Sequence, residues 1–143
     1  MGCFTLCLTI SLCACLTEHP KINWVVGWYN ESLPTFLATH KKNVTFLHVD
    51  CDIYASTSVV LTLLEPRLSP GAVIVFDELI NYPEFREHEY KALRELQQRS
   101  GRTVRILGLG AARVMSGPPE SIRADVHQHG EGLGSQSAAI MLL

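Results

Sequence analysis

The chain has 143 residues, 47% apolar and 18% charged, with a formal charge of −2. That length and balance allow one domain with a real core, and they exclude a fibre or a chain disordered throughout. No basic field is available for a polyanion, so nucleic acid is not an expected partner and a small-molecule substrate is.

The opening MGCFTLCLTISLCACL carries no charge and holds Cys3, Cys7, Cys13 and Cys15. It is too short to span a membrane, lacks the positive start of a secretory signal, and has Leu6 where a myristoylation motif has Ser or Thr. The expectation is an apolar Cys-rich segment over 1–18, forming a buried strand or helix, followed by one partial domain over 19–143. Cys51 stands alone in the body, so no disulfide framework spans the fold, and a reducing, cytoplasmic setting fits better than secretion.

INWVVGWY, Ile22 to Tyr29, reads as a strand, and NESLPTFLATHKK as a turn leading into a short helix. VTFLHVD is a second strand, apolar on both faces, which suits the interior of a covered parallel sheet. From Ser56 the period becomes helical, with Val59, Val60, Leu63 and Leu64 in one stripe and Ser56, Thr57 and Ser58 available as caps. GAVIVFDEL, Gly71 to Leu79, is a third strand. EFREHEYKALRELQQRSG is the clearest helix, with Tyr90, Leu93 and Leu96 on its apolar side and Gly101 as its stop. RTVRILGLG and the closing QSAAIMLL read as the last strands, separated by an irregular loop over about 113–136 that exceeds ordinary connections.

Strand, helix, strand, helix, strand is the grammar of βαβ units. The expected fold is therefore α/β and Rossmann-like: a mostly parallel sheet with helices on both faces, and ligands at the carboxyl ends of its strands. Two strands end there in acids, Asp50 with Asp52 and Asp77 with Glu78. Neighbouring strands stand about 5 Å apart, so these carboxylates would converge and repel unless protonated or neutralised. An all-oxygen cluster suits a hard cation, Mg²⁺, Mn²⁺ or Ca²⁺. The plainer reading makes the same acids solvated caps, with Asp52 capping the helix that follows. Cys51 reads as a small wall residue and His48 as a satisfied strand imidazole.

GWYNESLPTFL, LHVDCDIYAST, LEPRLSPGAVIVFDEL and REHEYKAL resemble the C-terminal half of class I S-adenosylmethionine-dependent methyltransferases, nearest the macrocin O-methyltransferase type, over about Ile22 to Gly108. The resemblance implies an incomplete methyltransferase fold, S-adenosylmethionine as methyl donor, and Mg²⁺ or Mn²⁺ held by Asp50, Asp77 and Glu78, with Asp52 a weaker ligand. It implies that the metal lowers the pKa of a substrate hydroxyl and that Asp50 accepts the proton. His88 and Glu89 are placed near the substrate or, more simply, on the surface of an amphipathic helix. The Gly-rich strand-turn-helix that approaches the cofactor in that family has no counterpart, so cofactor-binding residues are left unassigned and the chain reads as a methyltransferase without its first two βα units. A sheet lacking those strands would leave an apolar edge open to self-association, unless the Cys-rich segment covers it.

The leading expectation is a metal-assisted O-methyltransferase of a small hydroxylated substrate. The alternatives are a catalytically inactive Rossmann-like remnant that binds a partner and, third, an Mg-dependent phosphohydrolase or nucleotide-sugar transferase using the D-x-D pair.

Overall fold

The computed structural model of the chain describes residues 4–9, 23–109 and 136–143, the first of these by backbone alone. Five strands, β1 (Phe4–Thr9), β2 (Val44–Asp50), β3 (Leu68–Phe76), β4 (Val104–Leu109) and β5 (Ala138–Leu142), form one sheet in the order β1-β2-β3-β5-β4. The β1–β2 and β2–β3 pairings are parallel, whereas β5 runs antiparallel to both β3 and β4. The sheet is therefore mixed and not mostly parallel. β4 and β5 follow one another in the chain and pair directly, an arrangement that needs no crossover helix.

The strand expected over Ile22 to Tyr29 does not form. Residues 23–28 have no regular structure, and Trp24, Val26 and Trp28 are exposed. Two physical reasons act together. The edge of β2 that an added strand would use is already paired with β1. Gly27 also sits at φ +143°, a backbone conformation that interrupts an extended run. The opening Cys-rich segment thus contributes a strand that covers the β2 edge, while the rest of that segment and the loop expected over 113–136 lie outside the described residues up to 135.

Among the described residues three helices accompany the sheet: α1 (Tyr29–Thr39), α2 (Tyr54–Leu64) and α3 (Glu89–Ser100). The buried stripe of α2 is Thr57, Val60, Leu61 and Leu64, turned by part of a residue from the expected Val59, Val60, Leu63 and Leu64. The helix starts at Tyr54, ahead of Ser56, so the three hydroxyl residues lie within it and do not cap it. A 3₁₀ turn over Glu65–Arg67, with Pro66 in it, ends this helix and delivers the chain into β3. α3 begins after a second such turn at Phe85–Glu87, buries Glu89, Ala92, Leu93 and Leu96, and stops at Gly101, whose φ of +69° is the left-handed conformation that glycine adopts without a Cβ penalty.

Side chains alternate across strands, and the parity decides what is covered. Leu47 and Val49 of β2, Ile74 and Phe76 of β3, and Ile140 and Leu142 of β5 join Leu33 of α1, Val60 and Leu64 of α2, and Leu93 and Leu96 of α3 in one buried core. α1 packs on α2 and α2 on α3, so the helices form one layer on one face. On the other face Phe46, His48, Val73, Val75, Ala139 and Met141 are only half-buried. Helices on both faces are therefore not found among the described residues.

Candidate functional site

β2 and β3 are adjacent and parallel, so their carboxyl ends open on the same rim. The Asp77 N–H donates to the Val49 carbonyl at 3.0 Å, which carries the ladder to the first acid after β3. Asp50, the last residue of β2, is half-buried; Asp77 is exposed and Glu78 half-buried. Both acid-bearing strand ends therefore lie at one rim of the sheet. Burial raises the Glu78 carboxyl above its ordinary value, and the negative charges of Asp52, Asp77 and Asp50 raise it further, while His88 opposes them. The Ser137 hydroxyl, at the entry to β5, donates to Asp77 Oδ1 at 3.3 Å.

Asp52 is exposed and takes φ +58°, in the left-handed region where Asp and Asn are tolerated better than most residues. It turns the chain out of β2. It is not the cap of α2, because Ile53 holds that position and no side chain caps the helix. Cys51, between the two aspartates, is fully buried, and burial pushes its thiol up to about 11 against a hydrogen bond from Tyr29. A thiol so far from ionising is a wall residue, as its sequence position suggested.

Glu89 departs most from the surface-helix reading. As the first residue of α3 it is completely buried. Its Oε1 accepts the Cys51 N–H at 3.4 Å and its Oε2 accepts the Glu78 N–H at 3.2 Å. One carboxylate thus ties the segments that follow both strands. Burial, joined by the charges of Glu78 and Asp50, pushes this carboxyl up to about 7, although both backbone N–H groups pull the other way. The signal for this residue was present: Glu89, Leu93 and Leu96 share the i, i+4, i+7 spacing of one helix face.

Tyr82 and His88 adjoin this rim. Burial and the charges of Glu89, Glu78 and Asp52 push the Tyr82 hydroxyl up to about 12. The Tyr82 hydroxyl and His88 Nδ1 are buried with no hydrogen-bond partner among the described residues, and their rings lie 6.0 Å apart. Buried polar atoms ordinarily take a hydrogen-bond partner, from protein or water.

No Lys or Arg among the described residues pairs with Asp52, Asp77, Glu78 or Glu89. Nor do any three His, Cys, Asp or Glu side chains among them come together as a metal-binding group. The expected trio of Asp50, Asp77 and Glu78 therefore shares a rim without forming a three-ligand set. Asp77 turns to Ser137, and both Glu89 oxygens face backbone N–H groups.

A model of the macrocin-O-methyltransferase (TylF) family matches residues 16–103. Over 73 residues the chain is 34% identical to mycinamicin III 3''-O-methyltransferase of Micromonospora griseorubida, covering 50% of this chain and 27% of that enzyme. It is 30% identical over 74 residues to demethyldecarbamoylnovobiocin O-methyltransferase of Streptomyces niveus, again covering 50% and 27%. Among solved structures it is similar to CalS11, a TDP-rhamnose 3'-O-methyltransferase of calicheamicin biosynthesis, with a TM-score of 0.50 and 30% identity over 62% of this chain and 38% of that one. The chain spans about a quarter of the length of these curated relatives. With more than half of its residues matched, the chain belongs to the macrocin-O-methyltransferase family.

Proposed function

We propose that this chain forms the acceptor side of an S-adenosylmethionine-dependent O-methyltransferase whose substrate is a small hydroxylated molecule, most simply the sugar of a glycoside. The observation that carries the reading is the gathering of Asp50, Asp52, Asp77 and Glu78 at the carboxyl rim of two adjacent parallel strands, in a chain of this family. Relatives such as the TDP-rhamnose enzyme act on sugars, and the Tyr82 hydroxyl and His88 Nδ1 beside the rim, unpartnered among the described residues, suit a polyhydroxylated ligand.

S-adenosylmethionine would supply a methyl group activated by its sulfonium, whose sulfur departs as a neutral thioether with no redox partner required. The chain's own contribution is to orient the acceptor hydroxyl and to take its proton. Asp50, half-buried at the end of β2, is the proton acceptor: its carboxylate would take the proton of the acceptor hydroxyl as that oxygen receives the methyl group. Glu78, whose carboxyl is raised by burial and by the charges of Asp52, Asp77 and Asp50, lines the same rim. A divalent cation would be drawn to Asp50, Asp77 and Glu78. Among the described residues these side chains do not form a three-ligand set.

Transfer of a labelled methyl group from S-adenosylmethionine to a panel of deoxysugar glycosides, with Asp50→Asn as the negative control, tests the reading. The expected result is transfer by the natural chain and a loss of about a hundredfold or more in the variant. Absence of both transfer and cofactor binding at millimolar concentration would favour the partner-binding alternative.

A further inference from the structure

We propose that Glu89 is a positioning residue for the acidic rim, a role that rests on the reading of function just given. Three facts combine. Glu89 is the sole wholly buried carboxylate among the described residues. Its two oxygens accept from Cys51 and Glu78, the residues that directly follow Asp50 and Asp77. It begins α3, where the free N–H groups of a helix start favour a negative charge.

Burying a carboxylate is expensive, and a core that needed only to be filled would use an apolar side chain. What a carboxylate adds is two acceptors a fixed distance apart. One holds the backbone between Asp50 and Asp52; the other holds the backbone between Asp77 and its successor. The clamp therefore sets how the two acidic ends face one another, against their mutual repulsion, from behind the rim. Glu89 touches no reacting atom in this arrangement and acts through the backbone of the residues that do.

The test uses the full chain with Glu89→Gln and Glu89→Leu, and Glu87→Gln as a control on the exposed side. Amide hydrogen exchange at Cys51 and Glu78 is expected to accelerate tenfold or more in Glu89→Leu, with Val60 in α2 unchanged. Unchanged exchange at both amides overturns the clamp. In methyl transfer well below the melting temperature, Glu89→Gln is expected to lower kcat by about tenfold while the KM of the acceptor stays within about twofold, and Glu87→Gln to change neither. A residue that merely holds the fold would lower the melting temperature and leave kcat alone, and that outcome also overturns the proposal. If Glu89→Leu does not fold, Glu89→Gln alone decides, since its amide oxygen keeps one of the two acceptors.

Should the natural chain transfer no methyl group, the reading of function fails, and the positioning claim is judged on the rim itself. Broadening of the Asp50 and Asp77 amide signals by added Mn²⁺ is then compared between the natural chain and Glu89→Gln. Weaker broadening in the variant supports the claim, and equal broadening, or none in either, overturns it.

Discussion

The two faces of the sheet are made from the same kinds of residue and end in different states. Leu47, Val49, Ile74 and Phe76 are sealed under three helices, while Phe46, Val73 and Val75, their neighbours one position along the same strands, stay half-buried. Their composition is apolar on both sides. The difference arises from where the described helices lie, and it teaches that a continuously apolar strand declares its wish for two covers without saying whether both are supplied. The functional elements follow the same division: Glu89 comes from the covered side, and its carboxyl group is hidden in the helix layer rather than displayed on the rim.

Deleting one ring from each face separates the two sides most directly. Phe76→Ala is expected to cost about 4 kcal/mol in urea unfolding and Phe46→Ala less than half of that, because a cavity under packed helices relaxes less than one on a half-open face. Equal losses would mean that the second face is packed as tightly as the first.

Next in size is the charge inside the helix layer. The Glu89 carboxyl is raised from its ordinary 4.5 to about 7, so the native state keeps a proton that the unfolded chain releases. The contribution is fully present below about pH 4.5 and is lost as pH rises through about 7; at 1.36 kcal/mol per unit it amounts to about 3 kcal/mol. Unfolding curves between pH 5 and 8 should show stability falling more steeply in the natural chain than in Glu89→Leu. Parallel curves would show that Glu89 titrates normally.

Gly101→Ala sharpens the comparison at the end of α3, where a side chain at φ +69° meets strain with no steric neighbour to blame. A loss of about 1 kcal/mol is expected by thermal melting. The smallest effect belongs to the rim of the helix layer: breaking the 3.2 Å Arg99–Glu65 pair by Glu65→Gln should change stability by no more than about 0.5 kcal/mol, since both side chains remain partly in water.

Much of the covered side was legible from the residues. α3 announced itself through its charged face and the glycine after it, β2 and β3 through apolar runs rich in β-branched residues, and β4 and β5 through shorter apolar stretches of strand length. The acidic pairs were legible because carboxylates at the ends of apolar strands have no packing use. Ile22 to Tyr29 misled for a definite reason: its residues have strand propensity, but a strand needs a free edge, and β1 had taken it. Glu89 was misjudged because charge was weighed over spacing, although it lies in register with Leu93 and Leu96.

Periodicity and turn chemistry are local, so the chain's own order of residues determined which segments became strands and helices and that two of those strands would finish in acid. Tertiary packing alone decided that β5 enters antiparallel, that one face goes uncovered among the described residues, and that a buried carboxylate reaches across to both strand ends. Each of these depends on which edge, face or N–H is still vacant when a segment arrives, and vacancy is a property of the assembled fold.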